Sequence, residues 1–427
     1  MTIRTGPPSD PSLATRLGRE LEGEVLFDSF SRGLYSTDAS IYQVEPIGVV
    51  MPKTTTDVFR ALEIANEVSL PVTPRGAGTS QSGQAIGEGL VMDTSKYLTE
   101  IGELDQEAAT IRVQPGVVLD RLNQWLEPHG LFFPVDPGAN ATLGGMAMTR
   151  ASGTTAVRYG TMRDNVLGLQ VVLADGRVIR TGTRARKSSA GYDLTALMVG
   201  SEGTLGLVTE LTLRLHGVPE ATSAGICAFP DMHAAVTAVM ETIQMGIPMA
   251  RIEFVDAATA RAFTAYSGLE MAEAPHLLVE FHGSPESVAQ DAERFAEIVA
   301  DHGASPFRWS AREEERRALW ALRHNGYYAI LASRKGARGL VTDMCVPISQ
   351  LAQAVEETQA DIARGSIPGP ILGHVGDGNF HAILLLDPDK PSDLDEAKGI
   401  SARMAERALR LGGTCTGEHG VGVGKKP

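Results

Sequence analysis

The sequence predicts an α+β chain of two domains. In the first, short strands alternate with helices around glycine-rich loops; in the second, an antiparallel sheet is covered by helices. Three observations carry this. Between residues 47 and 215, β-rich runs of four or five residues alternate with helical patterns. Beyond residue 218, strands and longer helices succeed one another, and Gly217-Val218-Pro219 marks the boundary. The 46 glycines cluster instead of repeating, which places them in loops that approach something closely. A length of 427 residues is ample for such a division.

In the first domain, residues 47–51 read as a strand and 54–65 as a helix opened by hydroxyl residues suited to N-capping. Residues 70–73 return as a strand and lead into a glycine loop. Residues 110–113 form the next strand and 117–126 the next helix. Residues 168–181 read as a hairpin with the two-residue turn Asp175-Gly176 at its tip. In the second domain, strands are expected at 224–229, 252–255 and 276–280. Helices are expected at 231–244, 285–300, 311–328, 348–363 and 394–411. Residues 1–46 are read as an N-terminal segment packing on the first domain (47–217), with 218–427 as the second.

Composition excludes several classes. The net charge is −14, and without a basic stripe this argues against nucleic acid as a partner. No apolar run reaches the length of a transmembrane segment, and the first twenty residues lack the apolar core of a secretory signal. A cytoplasmic enzyme, or one peripheral at the inner membrane, is expected. The three cysteines, Cys227, Cys345 and Cys415, are too few for an ordinary iron–sulfur cluster.

The strand at 70–73 runs into Pro74-Arg75-Gly76-Ala77-Gly78-Thr79-Ser80. Its glycines permit positive φ and let successive N–H groups converge on an anion. Gln81 replaces the third glycine of a dinucleotide fingerprint, and Gln84-Ala85 replace the Lys-Ser/Thr of a P-loop. Alone, the loop reads equally well as a tight structural turn. Three further glycine clusters follow: Asp136-Pro137-Gly138 with Thr142-Leu143-Gly144-Gly145; Ser152-Gly153 with Arg158-Tyr159-Gly160; and Gly200-Ser201-Glu202-Gly203-Thr204-Leu205-Gly206. Together they point to an extended ligand held largely by backbone.

The second domain contains Gly373-His374-Val375-Gly376-Asp377-Gly378-Asn379-Phe380-His381 between two short apolar runs. A hairpin turning at residues 376–379 would set His374 and His381 opposite one another, with Cβ atoms about 5 Å apart. Gly417-Glu418-His419-Gly420 offers a carboxylate. Two histidines and a carboxylate suit a catalytic divalent metal; two satisfied structural histidines remain the alternative. His129, His216, His233, His276, His282, His302 and His324 lack such framing and read as structural or surface residues.

From Gly48 to Leu215 these motifs resemble the FAD-binding domain of the vanillyl-alcohol oxidase / p-cresol methylhydroxylase superfamily. Within it, the resemblance is to D-lactate, glycolate and D-2-hydroxyglutarate dehydrogenases, and it covers nearly the whole chain. It implies a two-subdomain FAD domain of the p-cresol methylhydroxylase type and an α/β cap domain. It implies that Pro74, Arg75, Gly76, Ala77, Gly78, Thr79, Ser80, Gly83 and Gln84 surround the FAD diphosphate. Pro137, Thr142, Leu143, Gly144, Gly145, Ser152, Gly153, Tyr159, Gly160, Glu202, Gly203, Gly206 and Val208 would line the rest of the cofactor. Covalent members carry a flavin-linking histidine where Thr79 stands, so non-covalent FAD is expected. The motif match implies that His374, His381 and Glu418 are metal ligands (Zn, with Mn or Fe as alternatives). It makes His419 the active-site base, Arg323 the partner of the substrate carboxylate and Asn379 a lesser substrate contact.

The implied reaction is oxidation of a D-2-hydroxy acid, D-lactate favoured, to the 2-oxo acid. D-2-hydroxyglutarate and glycolate are alternative substrates. A metal-dependent hydrolase and an inactive flavin-binding module are readings from other classes. Some relatives place a Lys just before the position of Asp343; Thr342 stands here, which favours a small monocarboxylate. The electron acceptor is left open among a cytochrome, a quinone, an electron-transfer flavoprotein and a separate iron–sulfur subunit. Residues 30–49 resemble members fused to iron–sulfur domains, whereas the chain from Asp136 onward leans toward cytochrome-linked D-lactate dehydrogenases. Relatives continue past Pro427 with an Asn-Pro-Gly segment that returns to the flavin, so a shortened C-terminus and a weaker grip on the cofactor are expected.

Overall fold

A computed structural model describes residues 10–183, 185 and 188–426; residues 1–9 of the N-terminal segment lie outside the described residues. The chain forms two compact units. One holds the residues up to Ser152, Gly160–Val218 and those from Glu418 on; the other holds Gly153–Tyr159 and Pro219–Gly417.

The first unit has two sheets. The smaller runs Glu24–Leu26, Gly48–Met51, Leu90–Asp93, Val72–Arg75, with parallel pairing except at Glu24–Leu26. The expected strand at 70–73 lies two residues later. Pro74 can belong to it, opposite Met92, because this is an edge strand and the missing N–H costs no ladder bond. Helix Thr55–Glu67 starts with a capping box: Thr54 Oγ1 accepts from Asp57 N (3.1 Å) and Asp57 accepts from Thr54 N (3.3 Å). Its Val58, Ala61, Leu62 and Ala65 recur at helical spacing, and the first three pack with Val50, Leu90 and Met92 of the sheet.

The larger sheet runs Ile101–Asp105, Thr110–Val113, Leu207–Arg214, Val166–Val172, Val178–Arg180, all antiparallel. Its hairpin exists, but the turn has three residues instead of two. Leu173 and Arg177 still pair (2.9 Å), Gly176 N donates to Leu173 O (2.9 Å), and Gly176 has φ +84°. That is a three-residue turn closed by a left-handed glycine.

The second unit is one antiparallel sheet. It runs Arg308–Ser310, Ala221–Ala228, His276–Gly283, Met249–Val255, Ile371–Gly373, Asn379–Leu386, Arg338–Val341, with Met344–Cys345 also on Asn379–Leu386. Helices cover both faces, so successive strand residues enter different cores. Ala382 and Leu384 pack with helices Met232–Gln244, Pro285–Asp301, Leu351–Ala363 and Pro391–Arg410. Ile383 and Leu385 pack with Ala257–Ser267, Glu313–His324 and Gly326–Ala332. The single helix expected at 311–328 breaks at Asn325, where Gly326 presses on Phe263 so closely that a Cβ would lie 3.2 Å from its ring.

Candidate functional site

In the first unit, strand Val72–Arg75 delivers the glycine loop. Gly78 and Gly83 adopt φ +71° and +79°, a region that only glycine occupies without strain. A Cβ at Gly76 would collide with Thr142 Oγ1, and that hydroxyl accepts a hydrogen bond from Ala77 N (3.3 Å). A Cβ at Gly203 (φ +74°) would lie 2.7 Å from Pro74 Cγ. Loops 74–78, 142–145 and 200–206 are therefore neighbours. Among the described residues, none accepts a hydrogen bond from N–H of Gly78, Thr79 or Ser80. Gln84 Oε1 is buried without a partner among the described residues. Free N–H groups on a glycine loop fit a diphosphate.

The Arg75 side chain serves the loop itself. Its Nη1 donates to the carbonyls of Thr37 (2.8 Å) and Ala85 (3.1 Å), and its guanidinium stacks on Tyr35 at 5.1 Å. Val208 lies in the core of the larger sheet. Gly206 (φ +158°) approaches Val172, and Gly144 packs on Pro115. Pro137 lies in a turn closed by Gly138 N donating to Asp136 Oδ1 (3.1 Å).

Two residues read from the sequence as cofactor neighbours hold the segment carrying His419. Glu202, itself at φ +53°, accepts from Val421 N (2.6 Å), Gly422 N (2.8 Å) and Gln84 Nε2 (3.2 Å). Gln84 Nε2 also donates to His419 O (2.6 Å). A Cβ at Gly420 (φ +75°) would collide with Glu202 Oε1. Within this segment Glu418 Oε1 lies 3.8 Å from His419 Nε2, and Glu418 Oε2 accepts from Ser152 Oγ (3.4 Å).

In the second unit, the expected hairpin forms, but His381 stands opposite Leu372. His374 begins the 3₁₀ turn Val375–Asp377, which Gly378 closes at φ +75°. The two imidazoles still meet, with centroids 5.6 Å apart and ring nitrogens within 4.8 Å. His374 Nδ1 is 2.6 Å from Glu253 Oε1, and His381 Nδ1 is 3.0 Å from Thr342 O. If each Nδ1 carries the proton, as those acceptors require, Nε2 of both rings keeps a lone pair. That is a donor set suited to a divalent metal.

Glu253 was not singled out in the sequence, although a carboxylate inside the apolar run Ile252-Glu253-Phe254-Val255 is a visible anomaly. Its side chain is fully buried, and Oε2 accepts from Arg323 Nε (2.7 Å). Burial pushes this carboxyl up, but His374 and Arg323 outweigh burial and hold it below the usual range. Asp343 was also missed as a site residue. It accepts from Asn379 Nδ2 (2.8 Å) and Thr416 Oγ1 (2.7 Å) and lies 3.7 Å from His381 Nδ1. Asn379 Nδ2 also reaches Met344 O (2.8 Å), while Asn379 Oδ1 is buried without a partner among the described residues.

Gly153 and Tyr159, read as cofactor neighbours, belong to this second unit. The hydroxyl of Tyr159 pairs with His282 Nδ1 (2.7 Å), and His282 Nε2 with Glu280 Oε1 (2.8 Å). Gly160 belongs to the first unit, turning at φ +76° against Asp164.

Residues 46–182 match the FAD binding domain and 218–427 the C-terminal domain of FAD linked oxidases. A zebrafish (Danio rerio) protein named probable mitochondrial D-lactate dehydrogenase is 46% identical over 92% of this chain and 80% of its own. The mitochondrial D-lactate dehydrogenase [cytochrome] of Arabidopsis thaliana is 40% identical over 89% of this chain and 67% of its own. Glycolate oxidase subunit GlcD of Bacillus subtilis is 36% identical, covering 96% and 88%. The solved p-cresol methylhydroxylase shares the fold at 16% identity, with a TM-score of 0.78 over 97% of this chain and 91% of that one. No helix among the described residues is long and apolar enough to cross a membrane. The chain belongs to the FAD-linked oxidase family that includes the D-lactate dehydrogenases and the GlcD component of glycolate oxidase, and is an FAD-dependent oxidoreductase of the p-cresol methylhydroxylase fold.

Proposed function

We propose that the protein oxidises a D-2-hydroxy acid, D-lactate first, to its 2-oxo acid. It uses non-covalent FAD and a divalent metal and passes the electrons to a cytochrome. The observation that carries this reading is the cluster of Arg323 and His374 on one buried carboxylate, with His381 beside it. When bound, the flavin supplies the hydride acceptor and the metal the Lewis acid.

The chain's own groups do the rest. Arg323 spends Nε on Glu253, and among the described residues none pairs with its Nη atoms, which leaves that edge for a substrate carboxylate. Asn379 Oδ1 can accept from a substrate hydroxyl. His419 takes the hydroxyl proton, a task suited to imidazole near neutral pH. His374, His381 and, by the motif match, Glu418 would hold the metal, which would supply Lewis-acid chemistry at the substrate hydroxyl. Thr79, in place of a flavin-linking histidine, supports the non-covalent cofactor.

The test is anaerobic mixing of the FAD-loaded protein with D-lactate, L-lactate, glycolate and D-2-hydroxyglutarate. Bleaching of the flavin band is expected, fastest with D-lactate. No bleaching by any of the four refutes the proposal, and fastest bleaching by glycolate reassigns the substrate. In His381→Ala, FAD should remain bound while reduction is lost.

A further inference from the structure

We infer that Glu253 is a positioning residue that couples the metal to the substrate carboxylate, a role resting on the ligand and arginine assignments proposed above. Both contacts of the fully buried side chain go to groups with a stated task. Oε1 lies 2.6 Å from His374 Nδ1, and Oε2 accepts a hydrogen bond from Arg323 Nε (2.7 Å). The backbone explains the meeting. Phe254 pairs with Gly373, and continuing that register puts Glu253 across from His374. Alternation along Met249–Val255 turns Ile252 and Phe254 to one core and Val255 to the other. Glu253 therefore shares the face of Val255, which is the face covered by the Arg323 helix.

One carboxylate thus sets two directions. Accepting from His374 Nδ1 fixes the tautomer and aims Nε2, as carboxylates behind metal-bound imidazoles do. Accepting from Arg323 Nε fixes the roll of the guanidinium and hence the edge it presents. A carboxylate has an acceptor for each donor. A glutamine has one oxygen and one NH₂, so it can satisfy His374 or Arg323 but not both. Anything that moves one partner therefore moves the other.

The experiment compares the parent with Glu253→Gln, using Zn²⁺ alone and pyruvate alone as probes. Zn²⁺ binding is read by calorimetry and retained metal content. Pyruvate binding to metal-free protein is read by perturbation of the flavin spectrum. Zn²⁺ should bind roughly tenfold to a hundredfold more weakly in Glu253→Gln. Pyruvate should weaken by about tenfold, as expected for loss of one hydrogen bond to a charged group. The double variants separate positioning from general damage. In an Arg323→Leu background Glu253→Gln should no longer alter pyruvate binding, and in a His374→Ala background it should no longer alter Zn²⁺ binding. Unchanged affinities for both probes in Glu253→Gln overturn the proposal, as does a Zn²⁺ effect that survives His374→Ala. Should Glu253→Gln lose its fold by circular dichroism, Glu253→Asp, which keeps the charge but shortens the reach, carries the same comparison. A parent that binds neither probe refutes the site assignment itself, a result distinct from a parent that binds both and a variant that does so equally well.

Discussion

Replacing Glu202 with alanine should release the segment that carries His419. Its carboxylate accepts two backbone hydrogen bonds, from Val421 N at 2.6 Å and Gly422 N at 2.8 Å, and each bond to a charged acceptor contributes about 1.5 kcal/mol or more. Losing both lowers the free energy of opening that segment by about 3 kcal/mol, which corresponds to roughly a hundredfold rise in the open population. Native-state hydrogen exchange reads this directly, because the two amides at issue are those of Val421 and Gly422. They should exchange about a hundred times faster than in the parent, while amides of the Asn379–Leu386 strand should not change. Flavin reduction should slow in parallel, with substrate affinity nearly constant, since the proposed base is mispositioned and Arg323 is untouched. Glu202→Gln, which keeps one acceptor oxygen, should fall between the two. Unchanged protection at Val421 and Gly422 in Glu202→Ala would refute the idea that this carboxylate holds the segment.

Three further outcomes follow from geometry and burial. Gly78→Ala places a Cβ 2.5 Å from Arg75 Nη2 at φ +71°, a strain of about 1–3 kcal/mol; FAD should dissociate about tenfold more readily, and equal retention in a fluorescence titration would sink this. Burial holds the Asp256 carboxyl above its ordinary value despite donation from Thr259 N. Its folded pKa therefore exceeds the unfolded value near ~4, and the stability it contributes is present below that value and lost as pH rises through the folded one. Asp256→Asn should keep the helix cap and flatten this part of the Tm–pH profile; a profile parallel to the parent's would count against it. Burial also pushes the Cys227 thiol up to about 12, so iodoacetamide at pH 8 should label Cys415 and spare Cys227 until the protein unfolds. Comparable labelling of both in the folded state would contradict the burial.

The motifs were legible because their residue types are demanding. Positive φ at Gly78 and Gly83 and a 3₁₀ turn at Val375–Asp377 closed by Gly378 leave marks in any sequence. Strand and helix patterns placed the elements they named within a few residues, and left strands such as Leu90–Asp93 and Leu207–Arg214 unnamed. What escaped was set by pairing across long separations. Glu253 looks like an interruption of an apolar strand until the register with residues 371–373 brings His374 to it. Gln84 and Glu202 belong to glycine loops that the motif assigns to the cofactor, and the bonds of their side chains to the chain near His419 left no mark in the sequence. Arg75 likewise lends its backbone to the loop and its guanidinium to Thr37 and Ala85. The three-residue turn at 174–176 was missed because Asp-Gly serves both that turn and the two-residue one, and strand register chooses between them.

The first unit is assembled from separated stretches of chain, and the contact between Gln84 and His419 spans 335 residues. Such a closure carries a large entropic cost and forms slowly unless the intervening chain has already been compacted. During synthesis, both sheets of the first unit and the sheet of the second leave the ribosome before residue 419 does. A nascent chain can therefore acquire its folded scaffolds while still lacking its proposed proton acceptor. With His419 in the proposed role, the order of synthesis delays redox competence until that residue has emerged and docked.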